Sequence, residues 1–118
     1  MILIVDDNAG IRQTIRAMLQ EIETEFCECN DGSQALEMYR TCRPDWVLMD
    51  IRMGTMDGLT ATRQITSAFP KARVIIVTNY TSSMLRAEAT AAGAVGYVFK
   101  DDLTELLNII HQTLEDQP

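Results

Sequence analysis

Four short apolar runs in this sequence each end in a polar or charged side chain. Asp6 and Asp7 follow Ile2-Leu3-Ile4-Val5, and Asp50 follows Trp46-Val47-Leu48-Met49. Thr78 follows Val74-Ile75-Ile76-Val77, and Lys100 follows Val95-Gly96-Tyr97-Val98-Phe99. Three carboxylates, a hydroxyl and an ammonium form a set with a definite chemistry. Oxygen ligands of this kind suit Mg²⁺, which takes one or two carboxylates, keeps several waters and completes its octahedron with phosphate oxygens. A carboxylate is itself a nucleophile able to accept a phosphoryl group. Phosphoryl transfer asks a protein chiefly for positioning and charge stabilisation. Lys100 suits a point-charge contact to one phosphoryl oxygen, and the Thr78 hydroxyl suits a hydrogen bond to another.

Each residue alone has an ordinary explanation. An Asp after a strand is often a turn former or a helix N-cap, and a Thr there is often a cap. A single Lys is usually a solvated surface charge. The set is harder to explain that way, because three carboxylates at one edge repel one another. Two unit charges about 4 Å apart interact by about 4 kcal/mol at an effective dielectric near 20. One Lys does not balance that, and a divalent cation does.

The set meets only if the chain brings the ends of the four runs together. Between the runs, apolar residues recur with helical spacing. Ile11, Ile15, Met18, Leu19 and Ile22 make one such stripe, and Leu59, Ile65 and Phe69 another. Residues 33–40 and 81–92 read as helices, and Leu103, Leu106, Leu107, Ile110 and Leu114 form a last stripe. Phe26 to Cys29 is a weaker strand candidate, followed by the turn signal Asn30-Asp31-Gly32. It contributes no residue to the set. Pro44 and Pro70 end the helices before them, and Gly93 stops the Ala-rich one. The pattern is strand then helix, five times over. Near-continuous apolar strands point to a parallel sheet covered on both faces, with right-handed crossovers. The expected fold class is α/β, a doubly wound sheet, in which all strands end at one edge and ligands bind there.

Composition narrows the field. The 118 residues suit one domain, 1–118, and 47% hydrophobic content suits a globular chain. A net charge of -7 argues against direct nucleic-acid binding, which needs a basic face. No apolar stretch approaches the ~20 residues that span a bilayer. The N-terminus reads as a strand with an acidic pair after it, not as a signal peptide, so a cytoplasmic location is expected. The three cysteines, 27, 29 and 42, include no Cys-x-x-Cys pair. Cys27 and Cys29 would share a strand face, and all three are expected to be small buried hydrophobes in a reducing compartment.

The chain resembles the response regulator receiver domain of two-component signal transduction along its whole length. The matching stretches are Ile4-Val5-Asp6-Asp7-Asn8, Met49-Asp50-Ile51-Arg52-Met53, Asp57-Gly58, Val77-Thr78, and residues 93–100, Gly-Ala-Val-Gly-Tyr-Val-Phe-Lys. The resemblance implies a flavodoxin-like fold with strand order 2-1-3-4-5 and five helices. It implies that Asp50 is the phosphoacceptor, supplied by a sensor histidine kinase, a phosphotransfer protein or a small phosphodonor. Asp7, Asp50 and the backbone carbonyl of Arg52 would hold Mg²⁺, with Asp6 acting through a metal-bound water. Thr78 and Lys100 would grip the phosphoryl group. Tyr97 would be the switch, turning inward as Thr78 moves towards the phosphate. The helix from Thr81, the last strand and the last helix would form the output face, where a homodimer through the last helices is possible. The resemblance thus implies a signalling switch and not a turnover enzyme.

Some positions depart from the family pattern. Gly54 stands where Pro is usual, and Asn79 where Ala or Gly is common. Asp101 follows Lys100 in place of Pro, which resembles the subgroup fused to LuxR-type helix-turn-helix domains and active in transcription regulation. Residues 1–118 hold no such domain, so a stand-alone receiver and the front of a longer protein are both open. Arg52 and Tyr80, each two residues beyond Asp50 and Thr78, are bulky and predict slow self-dephosphorylation. His111, the one histidine, is expected on the surface. Two other functions compete: a small Mg²⁺-dependent phosphohydrolase with an aspartyl intermediate, and a receiver-like interaction module that is never phosphorylated.

Overall fold

The computed structural model describes residues 1–23, 25–54 and 56–115, the last three by their backbone alone. Leu114, placed on the last apolar stripe, therefore lies outside the described side chains. Five strands and five α-helices alternate: β1 Ile2–Val5, α1 Ala9–Leu19, β2 Phe26–Cys29, α2 Ala35–Cys42, β3 Trp46–Met49, α3 Gly58–Ala68, β4 Val74–Thr78, α4 Ser83–Ala91, β5 Gly96–Phe99 and α5 Thr104–Glu115. Single 3₁₀ turns precede α2 and α5. All neighbouring strands are parallel, in the order β2-β1-β3-β4-β5. The doubly wound sheet is as expected. No helix among the described residues is long and apolar enough to cross a membrane.

The apolar runs are buried on both sides of the sheet, which is why they lack alternation. Leu3, Val5, Val47, Met49, Val74 and Ile76 face one cluster with Tyr39 of α2, Ile65 of α3 and Ala89 of α4. Ile2, Ile4, Leu48, Ile75, Val77 and Val98 face the other, with Ile15 and Leu19 of α1 and Leu106 and Ile110 of α5. Burying one such Leu or Ile is worth about 1.5–3 kcal/mol, so these two layers hold the sheet and its edge in place.

Local signals set where the helices start and stop. Asn8 caps α1 by accepting from Ile11 N–H, Asp57 caps α3 through Thr60 N–H, and Ser82 caps α4 through Leu85 N–H. The Ser82 cap starts α4 two residues later than the sequence pattern places it. The helix expected from residue 33 opens as a 3₁₀ turn, because Asp31 captures Ser33 N–H. After α2, Arg43 adopts a left-handed φ of 47° ahead of Pro44, and Gly93 takes φ 102° after α4. His111 is exposed, as expected.

The cysteine expectation needs correction. Cys27 and Cys29 do share the face of β2 that packs under α2, but Cys27 is joined to Cys42 at the end of that helix by a disulfide. Only Cys29 behaves as predicted. It is free and buried, and burial pushes its thiol up to about 11, so it stays protonated and unreactive at neutral pH.

Candidate functional site

Register decides what meets at the sheet edge. Val5 pairs with Met49, so Asp6 and Asp50, the next residues, emerge side by side. Thr78 pairs with Phe99, the residue before Lys100. The strand ends thus deliver Asp6, Asp7, Asp50, Thr78 and Lys100 to one rim. The backbone continues the ladder there: Asp6 N–H donates to Cys29 C=O, and Asp50 N–H to Val5 C=O.

Asp6, Asp7 and Asp50 each offer a carboxylate oxygen within 4.8 Å of the others. Asp6 and Asp50 are 2% and 5% exposed, whereas Asp7 faces solvent. Lys100 Nζ reaches both buried acids, 2.9 Å from Asp6 Oδ2 and 3.1 Å from Asp50 Oδ2. The second oxygen of each is held by backbone, Asp50 Oδ1 by Ile51 N–H at 2.8 Å and Asp6 Oδ1 by Asn8 N–H at 2.9 Å. Both carboxylates are thereby fixed in rotation, with Oδ2 turned towards the ammonium.

Electrostatics at the rim are unbalanced. Burial, and then the neighbouring Asp6, push the Asp50 carboxyl above the usual range; Lys100 and the Ile51 N–H oppose this without overcoming it. Burial pulls Lys100 down, but its bonds to Asp6 and the attraction of Asp50 raise it overall. One ammonium bridges two buried carboxylates with a third close by, leaving a net negative cluster of oxygens. Hard oxygen donors on rigid strand ends are the donor set Mg²⁺ prefers, so the residues present fit the ion.

Gly58 shows how tightly this edge is built. A Cβ there would lie 1.8 Å from Asp50 O, and its N–H donates to Ile51 C=O at 2.7 Å. No side chain fits, so Asp57-Gly58 is a cap followed by an obligatory close approach of α3 to β3.

The remaining expected residues lie around the rim. Thr78 is fully buried, and its Oγ1 accepts Tyr80 N–H at 3.3 Å. The Arg52 guanidinium lies 4.8 Å over the Tyr80 ring, joining the two loops that border Asp50 and Thr78. Tyr97 is half-buried, and its hydroxyl donates to Tyr80 C=O at 2.8 Å. Burial raises its phenol above the usual value, with Arg86 pulling the other way.

Sequence reasoning missed Asp31. It assigns no site residue to β2, yet the turn after that strand carries a buried carboxylate. Asp31 accepts Ser33 N–H at 2.9 Å and Met56 N–H at 3.4 Å, tying this turn to the loop after Asp50. An Asn-Asp-Gly turn carries no mark of a long-range partner, so nothing in the sequence distinguished it.

The pattern of the response regulator receiver domain matches residues 2–111. The chain belongs to the receiver domain family. It is 38% identical over 103 residues to the transcriptional regulatory protein LnrK of Bacillus subtilis, covering 85% of this chain and 46% of LnrK. It is 36% identical to the chemotaxis protein CheY of Bacillus subtilis, covering 96% of each. A two-component response regulator of the LuxR family from Aurantimonas superposes with a TM-score of 0.86 at 33% identity, covering 98% of this chain and 85% of that one. The chain thus spans about half of LnrK and nearly all of CheY. Receiver domains are signalling modules of two-component response regulators; they bind Mg²⁺ at an acidic pocket and interact with histidine kinases or phosphotransfer proteins.

Proposed function

We propose that residues 1–118 form one receiver domain that accepts a phosphoryl group on Asp50 and signals through its α4–β5–α5 face. The observation that carries this reading is the fixed Asp50 carboxylate. Its Oδ1 is occupied by backbone, and its Oδ2 sits beside Lys100 in an acidic cluster with one ammonium to three carboxylates.

In this reading Oδ2 of Asp50 attacks the phosphorus of a phosphohistidine, the P–N bond breaks, and its electron pair leaves with the imidazole. Asp7, Asp50 and the Arg52 carbonyl would hold Mg²⁺, with Asp6 acting through a metal-bound water, and the ion would supply charge stabilisation to the phosphoryl oxygens. Lys100 exchanges a carboxylate oxygen for a phosphoryl oxygen. Thr78 turns its hydroxyl from Tyr80 N–H towards the same group, and Tyr97 follows inward. Asp50 takes one phosphoryl group per chain, so the domain is a switch and not a catalyst of turnover. Arg52 stacked on Tyr80 narrows the approach of hydrolytic water and makes reset slow.

The partners in this reading are a sensor histidine kinase or a phosphotransfer protein in the cytoplasm. The LuxR-type likeness supports an output in transcription regulation through a fused helix-turn-helix domain, with a homodimer formed through the last helices. The test is stoichiometric labelling by a small phosphodonor with Mg²⁺. One acid-stable, alkali-labile phosphoryl group per chain, lost in Asp50→Asn, is expected. Labelling that survives Asp50→Asn, or repeated turnover of a phosphate ester, refutes the reading.

A further inference from the structure

The two acids that follow β1 are held in different ways. The Asp6 carboxylate is fixed by Lys100 and by Asn8 N–H. The Asp7 carboxylate faces solvent and, among the described residues, has no hydrogen bond and no ion pair. Its place beside Asp50 therefore depends on its backbone, and first on the Asp6–Asp7 peptide.

That backbone is pinned from β2 and α1. Asp6 N–H donates to Cys29 C=O at 3.2 Å. Asp6 C=O, the oxygen of the Asp6–Asp7 peptide, accepts from Arg12 Nη1 at 2.6 Å. Arg12 lies on α1 and is itself anchored, because its Nε donates to Glu28 Oε1 of β2 at 3.0 Å. The other oxygen of Glu28 accepts from Arg16 at 2.7 Å, so this carboxylate is fixed in rotation. Arg12 and Arg16 are four apart on α1 and so lie over the same strand residue. Glu28 points to the sheet face opposite Cys27 and Cys29, the face that α1 covers. A guanidinium can make both of the Arg12 bonds at once because its donors form a planar fork; an ammonium cannot match that geometry.

We propose that Arg12 is a positioning residue for Mg²⁺ uptake, holding the Asp6–Asp7 peptide so that the Asp7 carboxylate stays within reach of Asp50. This rests on the reading of the rim as a Mg²⁺-dependent acceptor site. Groups that orient metal ligands without touching the metal change its affinity by about 10–100-fold when removed. The charge of Arg12 acts in the opposite direction. A cation bonded to Asp6 C=O repels a second cation at the rim, so neutralising a mere bystander tightens Mg²⁺ binding. The sign of the change separates the two roles.

The experiment uses the whole chain in two arms. In the first, without divalent cations, amide hydrogen exchange is followed by NMR. Arg12→Met is expected to speed exchange at Asp6 and Asn8 severalfold and to leave Ile76 in the central strand β4 unchanged. In the second, Mg²⁺ is titrated by calorimetry. Arg12→Met is expected to weaken binding about 10–100-fold. Arg12→Lys keeps the charge without the fork and is expected to weaken it too. Arg16→Met, which neutralises the other cation on Glu28, is expected to bind Mg²⁺ as well as wild type or slightly better. In an Asp7→Asn background the effect of Arg12→Met is expected to shrink, since it acts through Asp7. Unchanged or tighter Mg²⁺ binding in Arg12→Met, an undiminished loss in the Asp7→Asn background, or exchange that is unaltered or equally faster at Ile76 overturns the proposal. If Arg12→Met does not fold, Arg12→Lys carries both arms. If wild type takes up no Mg²⁺, the acceptor reading fails, while the first arm still decides whether Arg12 fixes the turn.

Discussion

Replacing Asp50 by Asn is expected to stabilise the fold while abolishing phosphorylation. Asp50 and Asp6 have oxygens within 4.8 Å, a repulsion of about 3.5 kcal/mol at an effective dielectric near 20. Lys100 at 3.1 Å returns about 5 kcal/mol on the same scale. Two further costs remain. Asp7 adds a repulsion that solvent weakens, and removing a carboxylate from water costs several kcal/mol. The balance is unfavourable, which agrees with the raised carboxyl of Asp50. Asn still accepts one of the two bonds from Ile51 N–H and Lys100, and losing the other costs about 1 kcal/mol. A net gain of about 1–2 kcal/mol results, or about 4–8 °C in Tm for a chain of this length. Thermal unfolding without divalent cations, at low salt, measures it.

Two controls go with the sign. A carboxyl raised in the folded state penalises folding most above its folded pKa. The penalty fades as pH falls through that value towards the ordinary carboxylate value near about 4. The Tm gap between variant and wild type should close over that window. Mg²⁺ should also reverse the order, since a ligand at 100 times its Kd adds about 2.7 kcal/mol to the protein that binds it. A variant less stable than wild type without Mg²⁺, with a gap indifferent to pH, would refute the like-charge reasoning.

Single contacts lead to further expected outcomes. Asp7→Asn, at the exposed ligand, should leave Tm without Mg²⁺ nearly unchanged and cut the Mg²⁺-induced rise by at least half, read by titration calorimetry. Lys100→Met leaves the buried acids Asp6 and Asp50 with no cation partner and should cost about 3 kcal/mol without Mg²⁺; urea unfolding tests it, and a neutral result would show that Lys100 does not hold the rim. Arg52→Ala and Tyr80→Ala should each speed loss of the phosphoryl group severalfold, and the double variant no more than the better single one, since the two side chains form one stack. Phosphoryl decay in seconds in wild type, unchanged by either substitution, would count against that screen. Gly58→Ala drives a Cβ into Asp50 C=O and should destabilise by about 3 kcal/mol or more, whereas Gly10→Ala, with only a side-chain oxygen nearby, should be almost silent.

Much of this protein could be read in one dimension because its strands are buried on both faces. Continuous runs such as Val74 to Val77, alternating with helical stripes, fit strands covered on both faces, and parallel pairing sends every run to the same edge. Asp6, Asp7, Asp50, Thr78 and Lys100 could therefore be grouped as the polar residues that terminate those runs. The contacts with no local signature were different. Asp31 resembles any turn aspartate until β2 sits beside β1 and presents it to Met56. Cys27 and Cys42 resemble isolated thiols until α2 folds over β2. Arg86 resembles a solvated helix charge until α4 packs beside β5 and sets it over Tyr97 and Phe99. The sequence by itself determined the apolar strand runs, the helical spacing between them and the list of residues at the rim, because these depend on spacing along the chain. Only the tertiary structure decided which oxygens Lys100 shares, what holds the loop after Asp50 and what the Tyr97 hydroxyl bonds, because each depends on side chains from elements distant in sequence meeting within about 3–6 Å.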